Sequence, residues 1–312
     1  MVETHKILPA EFGRVGVMMG GWSAEREISL MSGKEVLQGL LDAGVDAVGV
    51  DLDLDTLRAM KREDYDRAFM ILHGPGGEDG IVQAFLETIG VPYTGSGVLG
   101  SAIAMSKFAS KLAWRGVGLP VPDWHVVSSA AEAQSAADEF GFPMMIKPSN
   151  EGSSIGIEQV NQREALVPAF ETAVKYGEVL AEKFVHGREL TVAVLGGQAL
   201  PVIEIETPRE FYDYKAKYFV DNTSYHCPAK IPESLARQCQ EIALSAFDSI
   251  GCRDWGRVDF MVDGDGQPWL IEANTAPGMT THSLVPMAAN EAGMTFSDLV
   301  YRILECSMER EA

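Results

Sequence analysis

Asp259 and Glu272 are the residues whose types and spacing first suggest chemistry. They sit in two runs, Arg257-Val-Asp-Phe-Met-Val262 and Gln267-Pro-Trp-Leu-Ile-Glu-Ala-Asn274, on either side of Asp263-Gly-Asp-Gly266. Such a turn joins antiparallel strands. With Asp265-Gly266 as a two-residue loop, Asp259 faces Glu272 and Arg257 faces Asn274, all on one side of the ribbon. Val258, Phe260, Ile271 and Ala273 then point the other way, into a core. Two carboxylates held opposite each other repel unless a cation lies between them. Two carboxylates and one amide oxygen, with room for water and phosphate oxygens, suit Mg²⁺. The alternatives are a pair merely facing solvent, and a turn at Asp263-Gly264, which pairs Asp259 with Pro268 instead.

Lys147 ends the apolar run Met144-Met-Ile-Lys147 and leads into the hydroxyl-rich Pro148-Ser-Asn-Glu-Gly-Ser-Ser-Ile-Gly156. Consecutive backbone N–H groups there could cradle an anion. The order is not that of a P-loop, so a plain surface loop is the competing reading. Lys147 and Lys107 are candidate charges for phosphate, although a lone lysine is usually solvated, and Lys107 by itself reads as surface. Likewise, Glu25 by itself reads as a first-turn helix carboxylate opposing the dipole. His73, alone at a strand end, reads equally as a hydrogen-bonded structural imidazole.

These residues need elements to position them. Val15 to Met19, Val45 to Val50 and Arg67 to Leu72 are short apolar runs separated by helix-like stretches, a βαβαβ pattern with a parallel sheet. Glycine-rich turns follow the first run at Gly20-Gly21 and the third at Gly74 to Gly80, where open parallel sheets bind ligands. A helix is expected from about Ser101 to Arg115, followed by a Gly/Pro-rich connection. After the segment Val179 to Val185, strands are expected around Leu190 to Leu195 and Leu200 to Glu206. A helix from Pro232 to Ile250, the hairpin and one C-terminal helix complete the chain. At 312 residues the chain exceeds what one core supports, and the boundaries fall near 104 and 188, giving units 1–104, 105–188 and 189–312.

A net charge of −20 without a basic block opposes nucleic acid as a partner. No apolar run approaches a membrane span, and the first residues do not read as a signal peptide, so a soluble protein is expected. Cys227, Cys239, Cys252 and Cys306 form no metal or redox pair, which suits a reducing cytoplasm.

Together the motifs resemble the ATP-grasp superfamily and, within it, the D-alanine-D-alanine ligases of bacterial wall synthesis. The resemblance runs from about Arg14 to near the C-terminus. It is carried by Gly20-Gly-Trp-Ser-Ala-Glu-Arg-Glu-Ile-Ser29, His73-Gly-Pro-Gly-Gly-Glu-Asp-Gly80, Pro92-Tyr-Thr-Gly-Ser96, the Lys147 to Gly156 run, Tyr212-Asp-Tyr-Lys-Ala-Lys-Tyr218 and Glu272-Ala-Asn-Thr-Ala-Pro-Gly-Met-Thr280. It implies an α/β (α+β) fold of three domains, the first Rossmann-like, with ATP clamped between the second and third.

By that resemblance, adenine lies against Glu182, Lys183, Phe184 and Val185, and Glu189 takes the ribose hydroxyls. Lys107, Lys147 and Lys217 contact phosphates. Two Mg²⁺ ions, replaceable by Mn²⁺, are held by Asp259, Glu272 and Asn274. Glu25 and Ser153, helped by His73, fix the first D-alanine, and Tyr218 closes over them from a lid at about 211–227. Arg257 and the Gly278 N–H serve an oxyanion, while Ser283 and Leu284 receive the second D-alanine's carboxylate. The implied activity is ATP-dependent formation of D-alanyl-D-alanine through an acyl phosphate, by a cytoplasmic homodimer. Rival readings are a D-lactate or D-serine ligase, another ATP-grasp enzyme, and a non-catalytic nucleotide-binding module. Tyr218 argues against the lactate version, whose members tend to carry His in the lid at that place.

Overall fold

The computed structural model describes residues 7–150, 152, 155–206 and 223–309. Val15–Gly20 (β1) is buried at every residue, as a strand covered on both faces must be. Helix α1 (Arg26–Asp42) leads to β2 (Ala47–Leu52), and α2 (Leu54–Ala59) precedes β3 (Arg67–Met70). Both flanking strands pair in parallel with β1, in the order β2-β1-β3, which is the expected sheet. Helices α3 (Ile81–Ile89) and α4 (Val98–Met105) follow.

The helix expected over Ser101 to Arg115 is broken in two. Ser106 is extended and caps α5 (Lys107–Gly116), its Oγ accepting the Ala109 N–H at 3.2 Å. A serine hydroxyl at this place satisfies a helix N–H that has no carbonyl partner. The break makes Lys107 the first residue of α5, and its N–H donates to the Ser149 carbonyl at 2.8 Å.

A second sheet comprises β4 (Trp124–Val127), β5 (Met144–Pro148), β6 (Glu158–Val160) and β7 (Val179–Lys183), antiparallel in the order β4-β7-β5-β6. Helices α6 (Ala130–Phe140) and α7 (Leu166–Ala173) cover it, enclosing a core that includes Ile146, Leu166 and Phe170.

The third sheet has the order β11-β10-β8-β12-β13. Its strands are β8 (Gly187–Leu195), β9 (Gln198–Ala199, beside β8), β10 (Ile203–Glu206), β11 (Ser224–His226), β12 (Trp255–Asp263) and β13 (Pro268–Asn274). Helix α8 (Glu233–Ser249) packs on it, and Trp114 of α5 donates its indole N–H to the Ala246 carbonyl at 2.9 Å. The chain ends in two helices rather than the one expected, α9 (Leu284–Glu291) and α10 (Phe296–Glu309). Gly293 separates them with a φ of +86°. Helix α10 returns to pack on α1, so Val36 and Leu40 share a core with Val300 and Ile303.

The β12-β13 turn differs from the expected two-residue loop. Asp263 N–H donates to the Gln267 carbonyl and Gly266 N–H to the Asp263 carbonyl, closing a loop of Gly264, Asp265 and Gly266. Gly266 supplies the positive φ, +83°, that a three-residue hairpin of this kind requires. Phe260 therefore pairs with Leu270. A bulge between Asp259 and Phe260 absorbs the extra residue and restores the pairs Asp259–Glu272 and Arg257–Asn274. The functional pairing is as expected; Ile271 is not. Leu270 takes its core place, fully buried, and Ile271 turns toward the cleft.

Candidate active site

A cleft of about 410 Å³ lies between the second and third sheets. Lys183, Phe184, Val185 and Glu189 line it where β7 passes into β8, and Lys107, Lys147, Glu182, Asp259 and Glu272 line its polar part. Met145 and Met261 supply apolar walls. Side-chain alternation explains both, since Met145 shares a face with Lys147, and Met261 with Asp259.

The lysines are not the solvated surface groups that lysines usually are. Lys107 is 5% and Lys147 4% exposed. Lys107 Nζ lies 3.4 Å from Glu272 Oε2, and Lys147 Nζ lies 2.8 Å from Glu182 Oε1. The other Glu182 oxygen, Oε2, is 2.6 Å from Nζ of Lys111, a residue the sequence reading missed. Burial pushes the Glu182 carboxyl up, but Lys111 and then Lys147 outweigh it and leave it below the ordinary value. Burial pulls Lys111 down to about 8 against the attraction of Glu182.

Asp259, 8% exposed, is held from three sides. Thr191 donates its hydroxyl to Oδ1 at 2.6 Å, Arg257 spans both oxygens at 2.8 Å, and Asn274 donates its amide to Oδ2 at 3.1 Å. Strand alternation places Arg257 and Asp259 on one face, so the planar fork can reach. Among the described residues no three His, Cys, Asp or Glu side chains gather as a ready metal cage. Two carboxylates and an amide do fit a Mg²⁺ that takes its remaining oxygens from phosphate and water. Each member of the Asp259–Glu272 pair already has one cationic partner, Arg257 and Lys107 respectively, and a divalent ion between them would add to that compensation.

At the mouth of the parallel sheet, Glu25 is the residue preceding α1, rather than a first-turn residue. Its carboxylate lies against Gly74 and Gly152, where a Cβ would come within 2.8 Å and 3.2 Å of Oε2. Gly74 also has a φ of +68°. His73 is buried, with Nδ1 2.8 Å from the Ala276 carbonyl, so that nitrogen carries the proton and donates. Burial holds the imidazole below its ordinary pKa, against Glu25 and the Ala276 carbonyl. Glu78 accepts the Gly74 N–H at 2.6 Å and a second bond from the Ala276 N–H. His73 and Glu78 thus grip both sides of Ala276, between Asn274 and Gly278. Burial, then repulsion from Glu25, raises Glu78 to about 8.

Gly278 and Ser283 are brought together, since a Cβ on Gly278 would meet Ser283 Oγ at 3.0 Å. Ser283 precedes α9, and its Oγ accepts the Thr280 N–H at 2.9 Å. The Leu284 side chain is in the core, leaving its backbone N–H at the helix start to meet an anion. Ser153, Lys217 and Tyr218 lie outside the described residues, as does most of the expected lid.

Residues 113–305 match the family described as D-ala D-ala ligase C-terminus, and residues 54–96 match its N-terminal counterpart. The D-alanine–D-alanine ligase of Alkalilimnicola ehrlichii is 52% identical, over 97% of each chain. The crystal structure of the Bacillus anthracis D-alanine–D-alanine ligase complexed with ATP superposes with a TM-score of 0.83 at 36% identity, covering 96% of this chain and 99% of that one. The VanG D-Ala:D-Ser ligase of Enterococcus faecalis superposes at 0.82 with 28% identity, covering 94% and 99%. The three-domain ATP-grasp architecture is thus shared. Half the residues are held in common with a curated ligase across nearly the whole length, and the chain belongs to the D-alanine–D-alanine ligase family.

Proposed function

We propose that the protein joins two molecules of D-alanine into D-alanyl-D-alanine, for peptidoglycan precursors, with ATP converted to ADP and phosphate. One observation carries the reading: the Asp259–Glu272 pair faces a cleft that also collects Lys107 and Lys147.

A carboxylate cannot acylate an amine directly, because oxide would have to leave. In the first step a carboxylate oxygen of D-alanine attacks the γ-phosphorus, the bond to ADP breaks, and D-alanyl phosphate forms. Negative charge spreads over the equatorial γ-oxygens, and Lys107, Lys147 and Lys217 neutralise it. Asp259, Glu272 and Asn274 would hold two Mg²⁺, or Mn²⁺, which would supply Lewis-acid neutralisation of the phosphate charge. Glu182, Lys183, Phe184 and Val185 hold adenine, and Glu189 the ribose. Glu25 and Ser153 hold the first D-alanine's ammonium group, with neutral His73 beside them.

In the second step the free amine of the other D-alanine attacks the acyl carbon. Phosphate leaves with the C–O bond electrons, and the amine proton passes to a base among Tyr218, Ser153 and Glu25 or to water. Arg257 and the Gly278 N–H donate to the tetrahedral oxyanion; removing one such donor typically costs about 3 kcal/mol. Ser283 and the Leu284 N–H receive the second carboxylate. Residues 211–227, carrying Tyr218, exclude water from the acyl phosphate.

Separate sheets on either side of residues 104 and 188 support the three-unit division. Four cysteines outside any disulfide suit a cytoplasmic site, and family likeness is the support for a homodimer. No helix among the described residues is long and apolar enough to cross a membrane.

The test is phosphate release measured across D-amino acids, with mass detection of the product under competing D-alanine, D-serine and D-lactate. D-alanyl-D-alanine as the dominant product supports the reading. ATP binding with no phosphate release under any D-amino acid would leave a nucleotide-binding module.

A further inference from the structure

Lys111 is fully buried, lies one helical turn beyond Lys107 on α5, and does not line the cleft. The acyl-phosphate chemistry gives it no task. Yet its ammonium sits 2.6 Å from Glu182 Oε2, while Lys147 occupies the other oxygen at 2.8 Å. One carboxylate has two cationic partners, and one of those partners stands where the polyphosphate needs its charge. Burying a lysine is costly unless a counter-ion compensates for it, so Glu182 and Lys111 are mutually required.

We propose that Lys111 fixes Glu182 as a permanent hydrogen-bond acceptor and thereby selects a 6-amino purine over a 6-oxo purine in the nucleotide cleft. The inference rests on the reading above that Glu182 meets the adenine edge. An ionised carboxylate accepts hydrogen bonds and donates none, whereas a protonated one also donates. Adenine presents an amino donor at C6, and a 6-oxo purine presents an acceptor there. When Lys147 is drawn to the phosphates, Glu182 is 2% exposed and would take up a proton if no second cation stood by. The groups facing it are Lys111 from α5 and Lys147 from β5, and Lys107 acts on Lys111 from the preceding turn. Lys111, set back from the cleft, keeps its partner when nucleotide arrives.

The experiment compares kcat/KM for ATP and for inosine triphosphate, in phosphate release with D-alanine, using the full-length protein. The wild type prefers ATP. Lys111→Met narrows the preference by about tenfold or more, because a protonated Glu182 can serve the 6-oxo base. Lys111→Arg keeps the preference, and KM for D-alanine stays unchanged in both. Lys111→Gln, which retains a donor without charge, narrows it too and serves if the methionine variant does not fold. Glu182→Gln separates the two levels of inference. If that variant leaves the preference intact, Glu182 does not read the base and the reading of the cleft is wrong. If it narrows the preference while Lys111→Met and Lys111→Gln do not, the role of Lys111 is overturned. A wild type indifferent to the two nucleotides overturns it as well.

Discussion

Asp259 and Glu272 are direct cross-strand partners, although the ladder slips by one residue immediately beside them. The bulge is why a three-residue turn and a face-to-face acidic pair coexist in one hairpin. Glu272 also lies 3.4 Å from Lys107, so its charge has one cation in place before any metal arrives.

Glu272→Gln keeps the shape and removes the charge. Phosphate release under saturating ATP and D-alanine is expected to fall about a hundredfold or more, as when a preorganised electrostatic group is lost. Turnover near that of the wild type would take Glu272 out of the metal site.

Gly74→Ala tests the close approach of Glu25. The new methyl would stand 2.8 Å from Glu25 Oε2, on a backbone with φ of +68°. Strain of about 1–3 kcal/mol is expected, with KM for D-alanine raised because the carboxylate is displaced. Gly118→Ala is the control: φ is +79° there, but nothing lies within 4 Å. It should lower Tm modestly and leave D-alanine kinetics alone. Equal kinetic effects of both variants would disconnect Glu25 from substrate.

How much of this was legible beforehand depends on the range of the interaction. The parallel sheet and the acidic pair were readable, since apolar runs and period-two alternation are local signals. The turn type was not, because Asp263-Gly-Asp-Gly266 accommodates loops of either length, and the compensating bulge leaves no mark in the sequence. The helix break at Ser106 was missed since serine is tolerated within helices, and only the cap bond to Ala109 and the tie from Lys107 to Ser149 settle it. Lys107 alone reads as surface, and its burial depends on Glu272, 165 positions away in numbering (272 − 107). Lys111 could have been noticed by its i,i+4 spacing from Lys107, but its partner Glu182 lies on β7, 71 positions further along the chain (182 − 111), and only the fold brings the two side chains together. Glu78 was visible only as one letter of a glycine-rich motif.

The cysteines should be inert in the folded protein. Burial raises Cys239 to about 11 and Cys252 to about 12; Cys227 is also raised to about 11 by burial, then by Glu291. At pH 8 a thiol with pKa 11 is about one part in a thousand thiolate, the form that reacts. Iodoacetamide followed by intact-mass analysis should label Cys239 and Cys252 only after denaturation. Fast labelling of Cys239 in the native state would refute the burial argument.

Glu78 gives the fold a pH dependence of defined sign. Its folded-state value, about 8, lies above the ordinary 4.5. Between those values the folded protein holds a proton that the unfolded chain has released, so stability falls as pH rises and levels off above about 8. Many other groups titrate over that range, and the comparison with Glu78→Gln isolates this one. The amide stays neutral and still offers an oxygen to the N–H groups of Gly74 and Ala276. The Tm of the variant should therefore gain on the wild type by about 3 °C or more between pH 5 and pH 8. KM for D-alanine should change little at pH 6, where both side chains are neutral, and diverge above pH 8, where only the wild type gains a charge beside Glu25. A Tm difference that stays constant across the range would mean that the Glu78 carboxyl is ionised throughout, held by its two backbone donors rather than by burial.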